Sequence, residues 1–244
     1  MFVLVLDSST PAVTTALVAV TADGVDMRAA RRTVDARAHG ELLAPQVAEV
    51  LAEAGVRAAD LTAIVAGLGP GPFTGLRVGL VTAASMGQAL GIPTYGICSL
   101  DAIGVPATDG VTAAESVPAA DGVTAVGGGP VLAATDARRR EIYWAVYDGT
   151  GARTVGPGVD TPAVVAERAR ELGVTAAAGD GALRYADQLG VPVGPEPRYP
   201  DPLALAALAA DRVRAGAPGE LLTPLYLRRP DAVAGAGARK SVLQ

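Results

Sequence analysis

The 244-residue chain has a single cysteine and a single histidine, and each scarcity closes off chemistry. With only Cys98, no internal disulfide can form. Its apolar flanks mark it as a small buried hydrophobe rather than a nucleophile. A His-x-x-x-His metal pair would need a second ligand one helical turn after His39, on the same face. Leu43 stands there, and Glu41 points elsewhere. The carboxylates show no clustered ligand spacing, so no metal site is expected, and His39 is read as a helix-entry or interface residue. No G-x-S-x-G elbow accompanies it, which argues against a serine hydrolase. Aromatics make up 4% of the chain against 50% apolar residues, so the core must be built from Ala, Val and Leu. Positive charge is also short: the formal net charge is −5. That argues against a chain that holds nucleic acid by itself. Three small basic clusters, Arg138-Arg139-Arg140, Arg228-Arg229 and Arg239-Lys240, read first as solvated turns or tail. The N-terminus lacks a basic leader, and Asp7 interrupts its apolar start. One uncharged run, 78–100, is long enough to cross a bilayer. Gly79, Gly87, Gly91, Pro93 and Gly96 break it, so it reads as a buried helix, a turn and a buried strand. A cytoplasmic protein with no membrane contact is expected.

What is present is a repeated order of elements. A buried strand at 2–6 ends in Asp7-Ser8-Ser9-Thr10-Pro11, a turn cluster. Strands at 14–20 and 25–34 follow, then a helix at 39–54, a strand at 61–66, a helix at 74–90 and a strand at 93–99. Residues 104–129 are poor in large apolar groups and read as a flexible insertion or linker. The order then restarts. A strand at 131–135 ends in Asp136 as the first ended in Asp7, and strands at 141–147 and 153–159 follow. A helix at 162–172, a strand at 174–178 and a short helix opened by Gly179-Asp180-Gly181 complete the second unit. Two βββαβαβ units form a long-period duplication. The pattern matches the two-lobed actin-like/Hsp70/sugar-kinase (ASKHA) fold, an α/β class. The expected division is an N-terminal lobe at 1–103, completed by a helix near 203–215, a C-terminal lobe at 130–202 and a tail at 229–244.

The chain's densest motif is Gly67-Leu68-Gly69-Pro70-Gly71-Pro72-Phe73-Thr74-Gly75-Leu76-Arg77-Val78-Gly79. A strand, a glycine-rich loop and a helix N-terminus together make an anion-binding outline. No Lys follows the glycines, and Thr74 occupies the third position of a G-x-G-x-x-G pattern, so neither usual phosphate motif is met. Thr74 is expected as the N-cap. Asp7, Ser8, Ser9, Gly69, Gly71, Thr74, Gly75 and Arg77 are therefore candidates for a ligand-binding loop or for a purely structural one. The second hairpin, Asp136-Ala137-Arg138-Arg139-Arg140, has no glycine for close phosphate approach, which argues against an ATP-hydrolysing cleft. Tyr143 and Tyr147 should share one face of their strand and Trp144 the other.

The two N-lobe helices carry the remaining signal. Leu42, Leu43, Val47, Val50 and Leu51 form one stripe. Leu76, Leu80, Ala83, Ala84 and Gly87 form another. Facing outward, they would make a ridge that two partner helices could complete into a four-helix bundle. Facing inward, they would only cover their own sheet. Periodicity does not separate the two.

Several stretches together resemble the bacterial TsaB (YeaZ) family: Leu4-Val5-Leu6-Asp7-Ser8-Ser9-Thr10, His39 with Leu42-Leu43-Ala44-Pro45, and the whole Gly67 to Gly79 loop. Asp136-Ala137-Arg138, Glu141-Ile142-Tyr143-Trp144-Ala145 and Pro224-Leu225-Tyr226-Leu227-Arg228 extend the match almost to the C-terminus. The resemblance implies an actin-like fold and a non-catalytic partner and activator of a TsaD-like catalytic subunit. That assembly installs a threonylcarbamoyl group on N6 of adenosine in tRNAs reading ANN codons, with a TsaE-like ATPase. It further implies contact through the two N-lobe helices, weak self-association through the same surface, and only indirect dealings with tRNA. No cofactor is implied, a nucleotide being expected only within the complex. The alternatives are an independent ATP-binding enzyme of the actin-like superfamily, a kinase or carbamoyltransferase, and less readily a peptidase.

Overall fold

The computed structural model describes residues 1–108 and 129–228. Two mixed sheets organise the chain, and each is built around a strand that ends in aspartate. In the first lobe, β1 (Phe2–Asp7) pairs antiparallel with β2 (Ala12–Val20), which pairs antiparallel with β3 (Val25–Val34). On its other edge β1 runs parallel to β4 (Leu61–Gly67), and β4 runs parallel to β5 (Thr94–Ile97), giving the order β3-β2-β1-β4-β5. Strand β1 is apolar without alternation because both faces of the sheet are covered. Val3 and Val5 meet α7 (Pro202–Arg214) through Leu205, Ala206 and Ala209. Leu4 and Leu6 meet α1 (His39–Glu53) and α2 (Phe73–Leu90). The helix expected near 203–215 thus packs on the first sheet, returning from the far end of the chain.

The second lobe repeats the plan with a shorter edge. Strands β6 (Val131–Asp136), β7 (Ile142–Tyr147), β8 (Arg153–Asp160) and β9 (Ala176–Ala178) take the order β8-β7-β6-β9. The counterpart of β5 shrinks to a single parallel bridge between Ala177 and Val193. Helix α4 (Pro162–Glu171) covers one face, where Trp144 joins Val165 and Ala169. The short helices α5 (Asp180–Arg184) and α6 (Ala186–Leu189) follow β9. Tyr143 and Tyr147 lie on the opposite face, as strand alternation requires.

Two boundaries differ from the sequence reading. Residues 104–108 are not linker: they belong to α3 (Asp101–Thr108), whose Ala102, Ile103 and Gly104 are buried. Ile103 packs with Leu100, Tyr143 and Tyr147, so α3 ties the lobes together. Residues 109–128 of the expected insertion and the tail at 229–244 lie outside the described residues. Helix α2 begins at Phe73 after Pro72, so Thr74 sits inside the first turn and is not its cap. No helix among the described residues is long and apolar enough to cross a membrane; the run at 78–100 divides into α2, a turn and β5.

Candidate functional site: the interlobe cleft and the outer helix face

The first hairpin and the glycine-proline loop are locked together at the base of the cleft. Asp7 is 1% exposed. Its Oδ1 accepts from the Ser9 amide at 3.0 Å and the Ser9 hydroxyl at 2.8 Å. Its Oδ2 accepts from the Ser99 hydroxyl at 2.6 Å, and Ser99 Oγ accepts in turn from the Gly69 amide at 3.0 Å. Burial pushes the Asp7 carboxyl above its ordinary range, while the bonds from Ser99 and Ser9 pull it back. The glycines make this closeness feasible. A Cβ on Gly67 would lie 1.8 Å from Asp7 Oδ2, and one on Gly71 would lie 2.2 Å from the Ser9 carbonyl oxygen. Gly67 thus packs on the Asp7 carboxylate and Gly71 on the Ser9 backbone, and these glycines are used for contact with the chain itself.

The neighbouring hydroxyl and imidazole are engaged in the same way. Ser8 Oγ donates to the Gly75 carbonyl at 2.8 Å and accepts from the Gly79 amide at 2.9 Å, pinning the start of α2 to the hairpin. His39 is buried, and its Nε2–H donates to the Thr10 carbonyl at 2.8 Å. With that nitrogen donating, the ring has no lone pair there for a metal or a serine proton. One turn on, Leu43 is in the core. A cavity of about 280 Å³ lies over these groups, walled by Ser8, His39, Thr74 and Gly75 on one side and Asp136 and Arg138 on the other.

The second hairpin is held differently. Asp136 pairs with Arg184 at 2.9 Å, and its backbone amide donates to Asp180 Oδ1 at 3.3 Å. Burial first, with the charge of Asp136 adding to it, pushes the Asp180 carboxyl up to about 6. At the tip, Arg138, Arg139 and Arg140 all take left-handed backbone angles, φ 59°, 54° and 62°. Arg228 clamps this tip, donating to the Ala137 carbonyl at 2.7 Å and pairing with Glu141. Two of the three basic clusters thus converge. Arg77 joins their border: its Nε donates to the Tyr226 hydroxyl at 2.8 Å, and its guanidinium lies 3.8 Å from the Phe73 ring centre.

The interaction ridge needs correction. Leu43, Val47, Val50, Leu51, Leu76, Leu80, Ala83 and Gly87 are buried between their helices and the first sheet. Leu42 is half-buried at the edge of that core. Only Ala84 of the expected set is exposed. The exposed residues include instead Ala44, Pro45 and Ala48 on α1 and Val81, Ala84 and Ser85 on α2, with Val81 62% exposed. Periodicity alone does not set this face apart from the buried stripe, because it is nearly as apolar. Ser99, Phe73 and Tyr226 were missed too. Ser99 has no local motif, and the aromatic pair forms only on folding.

Two lobes of repeated βββα order, closed on each other around a cleft, define a protein of the actin-like class. YeaZ from Pseudomonas aeruginosa superposes over 93% of this chain and 99% of its own, with a TM-score of 0.71 at 27% identity. The family model for TsaD, tRNA N6-adenosine threonylcarbamoyltransferase, matches residues 33–193. An uncharacterized protein of Mycobacterium tuberculosis is 46% identical over 230 residues, 94% of this chain and 93% of that protein. A second, from Mycobacterium leprae, is 44% identical, but the chain spans only 55% of its length. The tRNA threonylcarbamoyladenosine biosynthesis protein TsaB of Escherichia coli is 32% identical over 143 residues, covering 56% of this chain and 54% of that protein. The chain belongs to the TsaD family, within its TsaB-like (YeaZ) branch.

Proposed function

We propose that this chain is a TsaB-type subunit in the formation of threonylcarbamoyladenosine on tRNA, without catalytic groups of its own, that binds and activates a TsaD-type catalytic subunit. The observation that carries the reading is the outer face of α1 and α2, exposed among the described residues. Ala44, Pro45 and Ala48 lie on one helix and Val81, Ala84 and Ser85 on the next, small enough to let two partner helices approach closely. Two helices of this length can supply one side of an interface burying on the order of 1,600 Å². The internal engagement of Asp7 and His39 supports the non-catalytic part of the reading: the Asp7 carboxylate accepts from Ser9 and Ser99 and the His39 Nε2–H donates to the Thr10 carbonyl, so both side chains serve to hold the first hairpin to its neighbours. Weak self-association through the same face, cooperation with a TsaE-type ATPase and the lack of a resident cofactor belong to the same proposal.

The test is co-purification of the full chain with a TsaD-type subunit, followed by tRNA modification with and without this chain. Val81→Asp and Ala48→Asp are expected to keep the fold while weakening the heterodimer at least tenfold, with modification falling in parallel. Wild-type-like association by both variants would overturn the interface. Modification that proceeds equally well without the chain would overturn the role.

A further inference from the structure

Aromatic side chains are few, and all but two are fully or partly buried. Phe73 and Tyr226 are the exceptions, 46% and 39% exposed, with ring centres 5.1 Å apart in a stacked arrangement. They border a groove of about 360 Å³ whose far wall is the Arg138-Arg139 tip and whose end is Arg228. Arg138 and Phe73 also line the 280 Å³ cavity beside it, where Arg37 adds another cation, so the two spaces adjoin. Two acids beside the groove are paired, Asp136 with Arg184 and Glu141 with Arg228. In a chain of net charge −5, the folded protein gathers guanidinium groups from four separate stretches around one exposed aromatic stack.

We infer that this groove is a contact site for single-stranded RNA, with phosphodiesters on Arg138 and Arg139 and a base on the Phe73–Tyr226 stack. Guanidinium groups neutralise phosphates, while an exposed aromatic surface offers a sequence-tolerant face for an unpaired base. An acidic peptide would use the arginines but not the stack. A duplex would present no free base to it. The inference rests on the proposed role in tRNA modification and changes one part of it, because the subunit then touches the RNA directly.

The test uses the full chain and a fluorescently labelled anticodon stem-loop RNA, read by anisotropy at 50 mM and 200 mM salt, with AMP as competitor. Wild-type binding is expected to weaken more than tenfold across that salt range. Arg138→Glu with Arg139→Glu should weaken it at least tenfold at low salt, and Tyr226→Ala severalfold. Circular dichroism and binding to the TsaD-type subunit should stay unchanged. RNA affinity indifferent to these substitutions, or no binding at 50 mM salt, overturns the inference. Displacement by AMP at matched nucleotide concentration also overturns it, marking a mononucleotide site instead. Failure of the inference leaves chain-dependent tRNA modification intact, whereas failure of the proposed function abolishes that dependence.

Discussion

Asp7 Oδ2 and Ser99 Oγ lie 2.6 Å apart although 92 residues separate them in sequence. Through that contact the end of β1 is tied to the segment after β5. Because the Ser99 oxygen also takes the Gly69 amide, the glycine-proline loop is tied to both. Ser99→Ala removes the donor to a buried carboxylate and orphans a buried amide at once. Each loss costs about 1–3 kcal/mol. A drop of that order in the urea-unfolding free energy is expected, with the slope unchanged. A variant within about 0.5 kcal/mol of wild type would show that the loop is held by other contacts.

Helices α1 and α2 separate folding from association by single positions. Leu80 is buried on the sheet side, and Val81, the next residue, is 62% exposed. Leu80→Asp puts an unpaired carboxylate into the core between α2 and β4, which is expected to leave the chain insoluble or unfolded. Val81→Asp is expected to shift the melting temperature by no more than a degree or two. Differential scanning fluorimetry of the pair decides it, and similar melting temperatures would contradict the assigned orientation of α2.

That orientation shows where sequence reading stops. The stripe through Leu43, Val47 and Val50 is plain in the sequence because a helical period of 3.6 groups those positions. Which way the stripe points is not, because the opposite face of alanine, proline and valine is nearly as apolar. The duplicated order was legible because Asp7 and Asp136 end matching strands and turn residues punctuate both hairpins. Helix α3 was not. Its sequence, Asp101-Ala102-Ile103-Gly104-Val105-Pro106-Ala107-Thr108, contains both residues least suited to a helix. Packing between the lobes outweighs that propensity. The cleft's basic-aromatic border was present only as scattered parts, since Arg138 and Arg228 meet by tertiary contact alone.

Asp180 gives the second lobe a definite pH response. Its native carboxyl titrates near 6, above the ordinary 3.8, so the native state holds a proton that the unfolded chain releases. Between about pH 4 and 6 this contribution falls as pH rises, and above 6 the buried charge is a standing penalty. Asp180→Asn keeps an oxygen to accept from the Asp136 amide while removing the charge. The variant is expected to be more stable than wild type at pH 8, by on the order of 3 kcal/mol, at about 1.4 kcal/mol per pKa unit. The difference should vanish at pH 4. Thermal melts at both values check this, and an equal effect at both would show that the charge is not responsible.

Gly104 and Gly40 are both helical glycines, and their surroundings predict opposite outcomes for alanine. A Cβ on Gly104 would fall 2.2 Å from the Tyr147 ring. That ring is fully buried, and its hydroxyl is fixed by a 2.8 Å bond to Asp101 Oδ1, which also pairs with Arg153 at 3.0 Å. With the ring held at its far end, the added methyl must displace α3 from β7, and overpacking of this kind costs about 1–3 kcal/mol. Gly40 is exposed in the first turn of α1 with nothing within 4 Å of its would-be Cβ. Alanine there is expected to gain up to about 1 kcal/mol from helix propensity alone. Chemical denaturation of the two variants measures the contrast directly. If Gly104→Ala were as harmless as Gly40→Ala, α3 would not be wedged between the lobes, and the seam that closes the cleft would have to be held by α7 and the 225–228 segment instead.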